Sequence, residues 1–468
     1  MSSPLCLRCL RRSLQPLDHH AASVQRAAFS TTPALGALPP KKKGAANTKP
    51  TMRGGSSLKL TKNTRVASGR PPAPGERKAL RKRVVLSNTN AIEVRHLQDL
   101  TKDLCKDVSA LTEAHGKVVG LENETVDAMR ALEAFKATQG WNLFRRPAVL
   151  VRKETIEMAE TLHDAQSKKK TVSKVLYGSR GSGKSVLQLQ AMALAQQRGW
   201  IVLHFPEAKE LTIGHAAYEP VITENGTEYI QPGYTAHLLG NFARANKAVL
   251  SKLHLSQQHK LPIPIQPDIT LDRFIELGAN DPEIAWPIWS AMMIELTAPS
   301  KSDKGLQRPP LFVGLDGLDH IMRDSAYLDM DAKPVHAHSL TLVRDFVGLL
   351  SGSTKLPNGG MVVAAVSESN RARAPTLDYC LETNSGESKP LWDPYMPQDD
   401  RVISAFKNVP VQLINGLSKD EARGIMEYYA QSGMLRSTVT DLLVSETWTL
   451  AGNGLIGEVE RGSVRMRM

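Results

Sequence analysis

The sequence predicts an α/β fold, a parallel sheet flanked by helices, and three observations predict it. The first is Gly178-Ser179-Arg180-Gly181-Ser182-Gly183-Lys184-Ser185, a complete GxxxxGK[ST] pattern. It follows the strand-like run 174–177, and after it Leu187, Ala191 and Leu194 recur at helical spacing as far as Gly199, a natural C-cap. The second is Leu311-Phe312-Val313-Gly314-Leu315-Asp316, an apolar run ending in an acid, set off by Arg308-Pro309-Pro310. The third is Leu417-Ser418-Lys419-Asp420-Glu421, a capping box that opens a helix running to about Gln431. Together they describe a P-loop NTPase-like sheet with a small C-terminal helical lid. A disordered basic N-terminal arm completes the expected chain.

Charge separates the arm from the body. The 468 residues carry a formal charge of +12, with 59 Lys+Arg against 47 Asp+Glu. Residues 1–83 hold 18 of the basic residues and two acids, Asp18 and Glu76, which leaves 41 basic and 45 acidic residues for the rest. The folded body is therefore slightly acidic. Residues 1–29 place Arg8, Arg11, Arg12 and Arg26 among serines and apolar residues with one acid, the composition of a mitochondrial transit peptide. Residues 30–90 read as a flexible arm rich in Pro, Gly, Ser and Thr, unable to bury enough apolar surface to order itself. No Phe, Trp or Tyr lies between Ser30 and Arg83, so the arm is expected to track nucleic-acid phosphates without stacking on bases. No apolar run reaches the ~18 residues of a membrane span, so no integral membrane association is expected. Four cysteines exclude a disulfide scaffold.

Three domains follow the arm: a helical N-terminal region at 91–165, the P-loop domain at 166–410 and the lid region at 411–468. In the P-loop domain the glycines Gly178, Gly181 and Gly183 let the backbone curl so that N–H groups, including those of Ser179, Arg180 and Ser182, face phosphate oxygens. Lys184 is expected to bridge the β- and γ-phosphates, and Ser185 to offer its hydroxyl to Mg²⁺. Asp316 is the expected second Mg²⁺ ligand, acting through water. The 132 residues between Lys184 and Asp316 require insertions. Ser367, after the apolar run 361–366, stands where related folds place a polar γ-phosphate sensor. Hydrolysis is less well provided for, because the position after Asp316 is Gly317 rather than a water-activating Glu. Asp319 is the candidate catalytic carboxylate, with a turn-organising role as its competitor. The Asn/Thr-Lys-x-Asp element that reads guanine in small GTPases has no convincing copy, so the base stays open between GTP and ATP. The scattered histidines lack metal-ligand spacing.

The rest of the body reads more coarsely. Residues 91–140 suggest one or two surface helices, 149–165 a helix, 200–205 a strand, 212–232 turns and 234–250 a helix. Residues 303–310 and 374–401 read as loops.

In this order the transit peptide, arm, Trp141-Asn142-Leu143-Phe144-Arg145-Arg146-Pro147 with Ala148-Val149-Leu150-Val151-Arg152, the phosphate loop and Asp316-Gly317-Leu318-Asp319 resemble the death-associated protein three family of mitochondrial ribosomal small-subunit proteins. Gln231-Pro232-Gly233-Tyr234-Thr235-Ala236 and Gly452-Asn453-Gly454-Leu455-Ile456-Gly457-Glu458 extend the resemblance, which covers about 141–468. It implies a fold related to the AAA+ and STAND groups and a place in the head of the small subunit near the intersubunit bridges. Expected partners are ribosomal RNA and neighbouring mitochondrial ribosomal proteins of both subunits. It also implies a bound purine nucleotide, GTP or GDP, held with Mg²⁺ as a structural ligand, with at most slow hydrolysis. The competing readings are an AAA+-type ATPase of the matrix acting on protein or nucleic acid, and a STAND-like nucleotide switch.

Overall fold

The computed structural model describes residues 84–223, 226–266, 268–301, 303, 305–386, 391–392 and 394–465. The expected transit peptide and nearly all of the basic arm lie outside the described residues. At the centre is one five-stranded sheet made of β1 (Thr171–Tyr177), β2 (Ile201–Phe205), β3 (Leu311–Asp316), β4 (Gly360–Ala365) and β5 (Val411–Leu413). The spatial order is β5-β1-β4-β3-β2 and every pairing is parallel.

A parallel sheet needs cover on both faces, because each crossover lays a helix against it. β2, β3 and β4 are buried along their whole length. Alternate residues enter different cores. Leu311, Val313 and Leu315 of β3 join Val362 and Ala364 of β4 on one face. Phe312 of β3 and Met361 and Val363 of β4 point to the other. The first face is covered by the helices Pro232–Leu250, Leu271–Asn280, Pro282–Thr297 and Thr341–Ser351. The second is covered by Lys153–Ser167, Lys184–Gln197 and the N-terminal region from Leu86 to Phe135. The N-terminal helices are thus part of the sheet's own core. The lid packs a third core in which Leu417, Ile425, Met426 and Tyr429 meet Leu143, Phe144 and Leu150.

The insertion between β2 and β3 includes the hairpin Glu219–Thr223/Gly226–Ile230 and three of the first-face helices, Pro232–Leu250, Leu271–Asn280 and Pro282–Thr297. Three local expectations need correction. The hairpin falls within the stretch read as turns. Residues 149–165 do not begin a helix at 149: Ala148–Leu150 is a strand paired antiparallel to Val118–Gly120, and the helix starts at Lys153 after an extended Arg152. The 374–401 stretch is not all loop, since Pro375–Ser385 is a helix with proline in its first turn, where no N–H is needed. In each case tertiary pairing or burial overrode a weak local signal. Among the described residues no helix is long and apolar enough to cross a membrane.

Candidate functional site

In sheets of this kind a crevice opens at the carboxyl ends of the strands where the chain's direction of travel reverses. Here β1 lies between β5 and β4, and the register carries the argument further. Ala365 of β4 is opposite both Leu176 of β1 and Asp316 of β3, so the phosphate loop, Ser367 and Asp316 emerge side by side. They line a cleft of about 310 Å³ together with Arg180, Gly181, Gly183, Lys184 and Ser185.

The loop runs from β1 into the helix Lys184–Gln197, and glycine is required where the backbone turns left-handed. Gly178, Gly181 and Gly183 have φ of +145°, +80° and +97°. A Cβ on Gly178 would also stand 2.4 Å from the Ile414 carbonyl oxygen, beyond β5. The Lys184 ammonium donates to the carbonyls of Gly178 (2.6 Å) and Ser179 (2.9 Å). Burial lowers its pKa, against an opposing pull from Glu368 and Asp316. Ser179 and Arg180 are exposed, while Ser182 is fully buried.

Two supports were not foreseen as parts of the site. Arg152, 4% exposed, reaches under the loop and donates to the Ser182 carbonyl at 2.7 Å and the Asn415 carbonyl at 2.9 Å. The same guanidinium meets the Glu154 carboxylate at 3.1 Å. The terminal helix Ile456–Ser463 covers the loop from above: the Gly457 N–H donates to the Gly181 carbonyl at 2.9 Å, and Ile456, Gly457, Glu458 and Arg461 line the cleft. A Cβ on Gly457 would sit 3.1 Å from the Gly181 Cα, so the approach depends on two glycines facing each other. No local pattern announces either contact, since each joins segments far apart in sequence.

Asp319 does not line the cleft, which corrects its candidacy as a catalytic base. It is fully buried and clamps the loop after β4, Oδ1 accepting the Ser367 N–H at 2.9 Å and Oδ2 the Ala372 N–H at 2.7 Å. The turn-organising alternative is the one the geometry supports. Its effect on the site is indirect, through the position of Ser367 and Glu368. Gly317, at φ +88°, puts no side chain into the cleft. Arg371 is held by Glu368 and Asp378.

Asp316 and Ser185 both reach the cleft, as a Mg²⁺ site requires. Asp316, however, already has a cation: the Lys136 ammonium, from the segment after the helix Asn123–Ala131, forms an ion pair with its Oδ2. Asp316 is 4% exposed, and a carboxylate this buried requires a positive partner. The residues present therefore do not fit the simple expectation of a carboxylate free to receive a metal. Two residues before Asp316 the Gly314 carbonyl meets Nδ1 of the buried His204 at 3.2 Å; desolvation pushes the His204 pKa down to about 4, so the ring stays neutral.

The model of the mitochondrial ribosomal death-associated protein 3 family matches residues 149–462, from the strand before Arg152 to the terminal helix over the loop. The chain belongs to that family. Its relatives include the small ribosomal subunit protein mS29 of Neurospora crassa, 40% identical over 99% of each chain. The mS29 of Schizosaccharomyces pombe is 23% identical over 71% of this chain and 68% of its own, and that of Bos taurus 22% over 63% and 69%. Among solved structures a Walker-type ATPase of Pyrococcus abyssi aligns with a TM-score of 0.32 and 14% identity, covering 67% of this chain and 70% of that one. The α/β assignment of this family member stands on its own strand order and loop.

Proposed function

We propose that this chain is a structural component of the mitochondrial small ribosomal subunit that holds a purine nucleotide, GTP or GDP, as a structural ligand. Family membership and the mS29 relatives support the ribosomal half of the reading, with the mitochondrial ribosome in the matrix as its place. The nucleotide half is carried by one observation: a glycine-rich loop closed between β1 and the helix Lys184–Gln197, with Lys184, Ser185, Ser367 and the terminal helix around a single cleft. A helix N-terminus and successive backbone N–H groups make an anion site. The slightly acidic body leaves the basic arm as the segment suited to ribosomal RNA.

The acids around the cleft support a structural rather than a consumed nucleotide. Asp319 is locked into a turn, Gly317 replaces the usual Glu, and Glu368 is tied to Arg371. The other glutamates of the cleft, Glu458 and Glu460, are paired with Arg461 and Arg465. Nucleotide released by acid from the purified chain, identified by mass spectrometry, tests the reading, with Lys184→Ala as control. We expect a purine nucleotide in the parent chain, its loss from the variant, and a lowered melting temperature. Parent protein without nucleotide that also gains no stability from added GTP, GDP, ATP or ADP would overturn the reading.

A further inference from the structure

We infer that Lys136 takes the place of a divalent cation at Asp316, so that this site retains its nucleotide without Mg²⁺. The inference rests on the nucleotide reading above and concerns what neutralises charge inside that cleft.

The chemistry starts from Asp316. Its carboxylate stands at the end of a strand buried throughout its length, beside Lys184, Ser185 and Ser367. A negative charge there opposes an incoming phosphate unless a cation lies between them. In P-loop sites the cation is a metal held by the loop hydroxyl and this acid. Here the ammonium of Lys136 is paired with Asp316 and itself lines the cleft. It is the chain's own positive charge, and it remains one-third exposed on the cleft side of a carboxylate only 5% exposed.

Its position is built rather than incidental. Phe135 is buried and stands edge-on to Trp141, with ring centroids 5.1 Å apart. The Lys136 N–H donates to Gln139 Oε1 at 3.0 Å, and the Trp141 indole N–H donates to the same oxygen at 2.5 Å. Aromatic anchors on both sides of a short turn thus fix the backbone from which Lys136 extends. The Arg465 guanidinium donates to the Thr138 carbonyl at 3.2 Å, tying this turn to the residues that follow the terminal helix. The other cations around the cleft are placed differently: Arg180 stands exposed on the phosphate loop, Arg461 pairs with Glu458, Arg465 with Glu460, and Lys184 donates to loop carbonyls. Lys136 is the one placed against the acid that would otherwise call for a metal. A tethered ammonium has no affinity to lose when metal is removed, so the expected site is indifferent to chelation. Such an arrangement suits a ligand that is kept rather than turned over, because in-line transfer draws on a metal that bridges the β- and γ-oxygens.

The test is the equilibrium binding of fluorescent GDP to the purified chain, with its own nucleotide removed, measured in magnesium and again in EDTA. Parent protein should differ by less than about threefold between the two conditions. Lys136→Met should bind about tenfold more weakly in EDTA and recover when magnesium is added, because Asp316 is then open to the metal. Lys136→Arg keeps the charge and should behave as the parent does; thermal melts of both variants establish that they fold. Parent protein that releases the nucleotide in EDTA as readily as Lys136→Met does would overturn the inference while leaving nucleotide binding intact. Equal binding by parent and Lys136→Met in EDTA would overturn it as well. Failure of the parent to bind in either condition would remove the nucleotide reading and this inference with it.

Discussion

Replacing Arg152 by Met tests whether the phosphate loop is supported from beneath. The side chain is almost wholly buried and its guanidinium serves three oxygens: the Ser182 carbonyl inside the loop, the Asn415 carbonyl beyond β5, and the Glu154 carboxylate. Methionine fills comparable space but donates nothing. A hydrogen bond from a charged donor contributes about 1.5–3 kcal/mol, and a buried carbonyl left without a partner costs about 1–3 kcal/mol. Glu154, 16% exposed in its side chain, also loses its counter-charge, though water can reach it in part. These contributions share one side chain and overlap, so the expected loss is about 3–5 kcal/mol, the range for breaking a buried pair by removing one partner. Urea denaturation followed by circular dichroism reads that loss, and bound nucleotide measured on the same sample reads the effect on the loop. Arg152→Lys, able to reach one carbonyl but not both, should fall between. A Met variant within about 0.5 kcal/mol of the parent, with unchanged nucleotide, would refute the bracing argument.

Three further outcomes follow from the same geometry. Asp319→Ala removes the acceptor for the Ser367 and Ala372 N–H groups, so it should cost about 2–4 kcal/mol and speed amide exchange across residues 367–372, whereas unchanged exchange there would restore a role outside the turn. Glu421 is buried, which by itself raises its pKa, but hydrogen bonds from the Ser418 and Lys153 N–H groups win and hold it below the ordinary carboxylate value. Its contribution is therefore present above the unfolded pKa of about 4.3 and lost as pH falls through the lower folded value; Glu421→Gln should flatten the acid limb of a stability–pH curve, and an unaltered limb would contradict this. Burial pushes the Cys105 thiol up to about 12 and Cys380 to about 11, so neither should react with iodoacetamide at pH 8 until the chain unfolds; rapid labelling of either residue in the native protein, located by peptide mass mapping, would show that those sites open.

The phosphate loop and the lid's first helix were legible because their signals are local. Glycines at fixed spacing, a strand before and a helix after describe one stretch of chain, and Ser418 with Glu421 forms the reciprocal capping box its spacing suggests. β3 was legible because a buried parallel strand must be apolar along its whole length. The hairpin Glu219–Thr223/Gly226–Ile230 and the helix Pro375–Ser385 were not. The first alternates too weakly between apolar and polar residues, and the second sits in a proline-containing polar stretch that resembles a loop.

The asymmetry at the site has the same origin. Spacing marked Gly178, Lys184 and Ser185, because the glycine-rich loop is one contiguous stretch of backbone. Asp316 could be named, but not the company it keeps. Lys136, Arg152 and Gly457 come from segments 180, 30 and 276 residues away from the groups they touch, Asp316, Ser182 and Gly181. Two carboxylates three residues apart, Asp316 and Asp319, read alike in sequence, yet one opens onto the cleft and the other is sealed inside a turn. By itself the sequence determined that this family member has a glycine-rich loop between a strand and a helix, a slightly acidic body and a basic arm, because composition and local backbone conformation are properties of neighbouring residues. Only the tertiary structure decided which cation meets Asp316 and what Asp319 does, because charge compensation in a buried site depends on distances in space that chain separation does not encode.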